Sequence, residues 1–521
     1  MSLLRGVTIL RTTWRLGAAG LGLLALAGTA GASDPAAPPP EPPGETTPRP
    51  ADAAADARAQ AHADFKRLFD AGEFAAAAER ARTVVELTER EHGAQPEELQ
   101  VTLMNLALAE QYAGDYVEAE ATYQRVIKLI EASGRLGSAR LARAYAGLAT
   151  TYHAARRHDL AAASFERAIA LNRRAEGLFN PGQLPLLEKQ ADSLTELGRI
   201  EDALLARRYA LRVVSQRSGE SSLPYAREIE SLGRWYTRVG YFEAGRATLR
   251  RAAELVASLA GPASPELVGP LTAFAENARR WLMDPRLRDT MTADEERSIA
   301  LHDPAMPTPP SLSTNTIAAE GQKALERAAS ILGARPDSSP ALVAGVRAQL
   351  GDWHQARGQP DKALPQYRLA WQAAGAAPDG SASRRTLFGA PVLLQYVAPD
   401  GWDAYARRPA DEVERHDVEI ELTVTAQGGV REPRAVSGSG DPRLVSKALR
   451  AVATGRYRPR FAEGEPVETT GVRFVQPFFE LRAEAPADAP AAAPTEVPTK
   501  PPPEAPPAAP PITAPPAQGG G

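Results

Sequence analysis

The chain has 521 residues, a formal net charge of −4 with acidic and basic residues interspersed, and no cysteine. That length exceeds one ordinary domain, and the mixed charge creates no overall field toward nucleic acid or an anionic membrane. The missing thiols exclude disulfides, thiolate nucleophiles and cysteine zinc sites.

At the N-terminus Arg5, Arg11 and Arg15 precede the uncharged apolar run LGAAGLGLLALAGTAGA, which ends in Ala30-Gly31-Ala32 before Ser33. This layout predicts an export signal over residues 1–32, with small-x-small residues at the cleavage point. The alternative is an uncleaved anchor, because the run approaches the shortest helix that spans a bilayer. Residues 33–57 are rich in proline and alanine and read as an extended linker.

A repeat occupies residues 58–283. Gly72, Gly114, Arg156, Gly198 and Gly240 stand 42 residues apart, each opening a second helical pattern. Small residues recur five positions on, at Ala77, Ala119, Ala161, Ala203 and Gly245. A first helix precedes each of the last four turns, with its own small residue at Ala107, Ala149, Ala191 and Gly233. Two helices per unit follow, with small side chains where they cross. The stretch LTAFAENARRWLMDP supplies one further helix, with Ala275 42 residues beyond Gly233. The pattern then stops in a proline-rich connector, 284–314, and resumes as helices over 315–376, where Gly351, His354, Gly358, Ala363, Tyr367 and Ala370 take the motif positions.

Residues 387–482 change character. Val418, Ile420, Leu422 and Val424 alternate with Glu419, Glu421, Thr423 and Thr425, a half-buried strand ended by Gly428-Gly429. A second strand carries Pro433, and Asp441-Pro442 opens a helix closed by Gly455. The stretch GRYRPRF mixes Arg456, Arg458 and Arg460 with Tyr457 and Phe461, the combination that single-stranded nucleic acid favours. Alternation assigns the two rings to the buried side and the arginines outward, as candidates for an exposed contact with an acidic partner. A last strand, GVRFVQPFFELR, completes a ββαβ order. Residues 483–521 form a proline- and alanine-rich tail expected to stay disordered.

The stretches LATTYHAARRHDLAAASFERAIAL and LGRWYTRVGYFEAGRATLRRAAEL resemble the tetratricopeptide repeat, with the 42-residue unit of the kinesin-light-chain type. VEIELTVTAQGGVREPRAV, the aromatic-x-Pro of Tyr457 to Pro459, and Gly464-Glu465-Pro466-Val467 together resemble the C-terminal domain of TonB-type proteins. The implied fold is mainly α, a helical solenoid followed by a small α+β domain. The first resemblance implies a groove lined by first helices that holds protein segments. The second implies a Gram-negative envelope setting. As the alternative it implies energy transduction or transport coupling from an inner-membrane anchor.

Candidate groove residues are Gln111 and His153; Glu188, Asp192 and Glu196, an acidic stripe at i, i+4, i+8; and Arg227, Glu230, Arg234 and Arg238 in the next unit. Two readings stand for these charges: a charged groove, or ion pairs between adjacent first helices that leave nothing for a ligand. No catalytic, metal or cofactor constellation is found. His153 and His158 are five apart and read as surface histidines at a repeat turn that do not share a helical face. SGSGD, 437–441, lacks the lysine of a phosphate loop and reads as a helix cap. The expected protein is a non-enzymatic periplasmic scaffold with protein partners, no nucleic acid, and membrane contact only through an uncleaved N-terminal segment.

Overall fold

The computed structural model describes residues 50–92, 96–283, 313–399, 401–402, 412–438 and 441–482. The export signal, most of the linker, nearly all of the connector and the C-terminal tail lie outside the described residues. Helices pair into units: α1 (Pro50–Asp70) with α2 (Phe74–His92), α3 (Pro96–Ala113) with α4 (Tyr116–Ala132), and α5 (Ala139–Ala154) with α6 (His158–Glu176). Next come α7 (Leu184–Glu196) with α8 (Ile200–Ser218), and α9 (Leu223–Val239) with α10 (Phe242–Ala260). α1 thus begins within the stretch expected as linker. The turn inside each unit passes through the left-handed region at the five aligned positions, from Gly72 to Gly240. Arg156 is the side-chain-bearing member of that set, at φ 63°.

The solenoid does not stop at residue 283. α11 (Val268–Met283) packs on α12 (Thr314–Gly333), so the 284–312 segment interrupts the sixth unit between its two helices. Gly321 of α12 marks the crossing: a Cβ there would lie 2.9 Å from Ala278 and 2.3 Å from the Trp353 ring. Trp353 belongs to α13 (Pro340–Ala356), which pairs with α14 (Pro360–Gly375) as a seventh unit and shares one apolar core with the sixth. Pro365 sits inside α14 without ending it. Gly351 lets the buried Tyr367 ring approach to 2.3 Å of where a Cβ would be. The two helical segments therefore form one continuous array, closed by the short α15 (Gly380–Phe388). Among the described residues no helix is long and apolar enough to cross a membrane.

Strand β1 (Val392–Gln395) follows at once, an element the sequence pattern did not single out. β2 (Val413–Val424), β3 (Val430–Ser437), α16 (Pro442–Val452), β4 (Arg456–Arg458), β5 (Arg460–Ala462), β6 (Glu465–Val467) and β7 (Thr469–Leu481) complete the described residues. The ββαβ order holds, with the main antiparallel sheet ordered β3-β2-β7; β1 pairs with β4, and β5 with β6. Val418, Ile420, Leu422 and Val424 are buried against Leu444, Ala448 and Val452 of α16. The Asp441 carboxylate caps that helix, accepting the Arg443 N–H at 2.7 Å. Glu463 and Gly464, both at positive φ, make the tight turn from β5 to β6.

Candidate functional site

Consecutive first helices touch: α3 with α5, α5 with α7, and α9 with α11. They form the tighter, inner wall of the solenoid. Along it runs a ladder of side-chain hydrogen bonds, each joining residues 40 apart. Thr151 donates to Gln111 at 3.3 Å, His153 Nδ1 lies 2.9 Å from Ser193 Oγ, Trp235 donates to Thr195 at 3.0 Å, and Asn277 to Thr237 at 2.9 Å. Gln111 and His153 thus hold one unit to the next. Their partners escaped sequence reading, although a polar residue paired with another two short of the repeat length was a detectable signal.

The charged candidates also face one another. Asp192 accepts from Arg238 of the next first helix at 2.5 Å and from the buried Arg207 of its own unit at 2.9 Å. Arg207 reaches Glu188 at 3.6 Å, and Glu196 meets Arg156 at 3.6 Å. Arg227 holds Glu266 at 3.0 Å, while Arg234 holds Glu230 at 2.7 Å and the Gly269 carbonyl at 3.0 Å. The ion-pair reading describes this wall, and the acidic stripe is neutralised from both neighbouring units. Apart from Arg207 the arginines remain exposed, so a charged partner can still displace their pairs, worth about 0–1 kcal/mol each.

The histidines differ from expectation. His153 ends α5 and His158 opens α6, so the turn between them brings the rings to 5.5 Å, edge to face. Both are half-buried, and burial holds both imidazoles below their ordinary value. Lys189 depresses His153 further, against Asp192 and Glu196. Among the described residues no cluster of three or more potential metal ligands exists.

The second site is the junction between array and sheet domain, and here the outward arginine row needs correcting. Tyr457 is buried in the sheet core as alternation predicts, but Phe461 is buried against the seventh unit instead, the side chain of Arg458 is 12% exposed, and Arg456 and Arg460 are half-buried. The face of β4 and β5 turned away from the sheet core lies against the seventh unit. Arg458 donates through Nε and Nη2 to Asp352 at 2.8 and 2.5 Å, and through Nη1 to the Leu387 carbonyl at 2.8 Å. The Tyr367 hydroxyl donates to the same carboxylate at 3.0 Å. Burial alone would lower the Arg458 pKa, but the Asp352 carboxylate outweighs it and drives the value up. Burial first, then Asp352, pushes the Tyr367 phenol far above its ordinary range.

Two family models match parts of the chain. A tetratricopeptide repeat model matches residues 98–174, the second and third units. The Gram-negative bacterial TonB protein C-terminal model matches residues 405–475. The fold is a TPR-like solenoid, with a tetratricopeptide repeat region at 98–174, followed by a small strand-containing domain that matches the TonB C-terminal model. Similar solved structures include nearly identical TPR-like repeats of a Podosopora anserina kinesin light chain, at 15% identity, 41% of this chain, 100% of that one and TM-score 0.32. BtubC (BKLC) from P. vanneervenii follows at 17% identity, 62% and 92% coverage and TM-score 0.30. The apo quorum sensor NprR from B. thuringiensis stands at 12% identity, 63% and 89% coverage and TM-score 0.32. No curated protein matches the chain. Both modules point to protein–protein interaction scaffolding.

Proposed function

We propose that the protein is a non-enzymatic, exported scaffold of a Gram-negative cell envelope that holds one protein on its inner wall and a second on its sheet. The observation that carries this reading is a single solenoid with a ladder-stiffened inner wall ending in a sheet whose edge strand β7 has, among the described residues, no strand partner on its outer side. Edge strand β3 is defended: it carries Pro433, Glu432 at φ 51°, two register shifts and the charged Arg431 and Arg434. The far edge of β7 differs. Its end is tied by the Phe479 N–H to the Trp402 carbonyl at 3.1 Å, while the Thr469–Val475 half carries no proline and exposes Val475, its irregularity confined to Gly471 at φ 71° and the register shift beside it. That half suits addition of an extended partner strand.

Photocrosslinking in intact cells tests the proposal, with a photoreactive residue at Glu188 on the inner wall or Val475 on the sheet edge. Protein adducts are expected at both positions and from different partners; adducts at neither overturn the scaffold reading. Sequencing the mature N-terminus tests export, with a start near Ser33 expected. A chain beginning at its initiator end favours the anchored, transport-coupling alternative instead.

A further inference from the structure

The seventh unit ends in an apolar face that an open solenoid would expose to water. Phe388 and Tyr367 are fully buried there, and Phe461 of the sheet domain fills the space between them, with ring centroids 4.8 and 6.1 Å away. Trp371 stacks on Phe461 at 6.0 Å and 27°. Beside this apolar contact lies the buried Arg458–Asp352 pair, and two further ties join the domains, one buried and one at the margin. Gln355 donates to the Gln427 carbonyl at 2.6 Å, and Arg368 meets Glu465 at 2.7 Å.

Two physical arguments turn this from a packing detail into recognition. A buried ion pair is tolerated when its hydrogen-bonding groups are satisfied, and Arg458 uses Nε and both terminal nitrogens while Asp352 accepts from two residues. A solenoid also needs a cap where stacking ends, and the uncovered rings of Phe388, Tyr367 and Trp371 would be a sticky patch. The tether is short: only Gly389, Ala390 and Pro391 separate α15 from β1, and β1 itself pairs with β4.

We propose that the C-terminal end of the array is a docking site whose occupant is the sheet domain of the same chain, read by the Arg458-Pro459-Arg460-Phe461 segment. The domain caps the solenoid in cis, and the outer edge of β7 is thereby held in a fixed orientation to the inner wall. This docking stands independently of whether the chain is a scaffold.

The absence of cysteine makes the full chain suitable for paired-thiol crosslinking. In the double variant Arg368→Cys, Glu465→Cys, a short bis-maleimide is expected to give an intrachain product at monomer mass in most molecules. Interchain dimers as the main product, or no crosslink, would overturn docking in cis. Hydrogen exchange then separates capping from mere proximity. Full-length Arg458→Met is expected to exchange at least tenfold faster in α13 to α15, while α3 to α8 stay as in the native chain. Unchanged α13 to α15 would contradict the capping role. Should Arg458→Met fail to fold, Phe461→Leu, which keeps an apolar side chain, is judged by the same criterion.

Discussion

The inner wall and the domain junction both rest on arginine–carboxylate pairs, yet they work differently. On the wall, Arg238 and Asp192 are 48% and 28% exposed, and Arg156 and Glu196 about half exposed, so solvent screens these attractions, while the buried Arg207 holds Asp192 from behind. At the junction, Arg458 and Asp352 are each 12% exposed and surrounded by Tyr367, Phe388 and Phe461. Burial makes the pair costly to break rather than strong to form, because losing one partner strands the other charge. The wall is therefore adaptable and open to exchange with a partner's charges, while the junction fixes one arrangement.

The sharpest way to break this contrast is Arg458→Met, which leaves Asp352 buried and uncompensated. A loss of about 3–5 kcal/mol is expected in denaturant unfolding. Replacing Asp352 as well, by Asn, should recover part of that loss.

Gly351→Ala probes the helix crossing on which the junction rests. Its new methyl would lie 2.3 Å from the Tyr367 ring, and a cost of about 1–3 kcal/mol is expected from overpacking in the same unfolding experiment. At the turn between α5 and α6, Arg156→Gly relieves a left-handed backbone. It should raise stability by up to about 1 kcal/mol, offset in part by the freer unfolded chain and loss of the Glu196 contact.

Smaller still is the pH response of the wall. Burial holds folded His153 below its unfolded value of 6.5, so the unfolded chain binds more protons as pH falls. Its contribution is complete above 6.5 and is lost as pH falls toward the depressed folded value. His153→Gln should flatten that part of the stability–pH profile measured by thermal unfolding, and an unchanged slope would remove His153 from the explanation.

Much of the array was legible because its signals are local. Turn residues at a fixed spacing and small residues at the crossings follow from helix geometry, and the same positions reappear at the left-handed turns. The sixth unit was not legible as one unit, because the inserted 284–312 segment separates α11 from the helix that completes it. Arg458 shows a different limit. Strand alternation correctly turned it away from the sheet core, but the pattern says nothing of what lies on that other side. Here it is the seventh unit, reached through a carboxylate 106 residues away. The groove charges were found and their pairing was one of two readings, since only the stacking of units decides which charge meets which.

The central claim is that burial, not the number of ion pairs, separates a fixed junction from an exchangeable wall. Two double-mutant cycles in the full chain test it most directly, one on Arg458 and Asp352 and the other on Arg156 and Glu196. A coupling of about 2 kcal/mol or more at the junction, against less than about 1 kcal/mol on the wall, is predicted. Equal couplings, or a larger one on the wall, would contradict it.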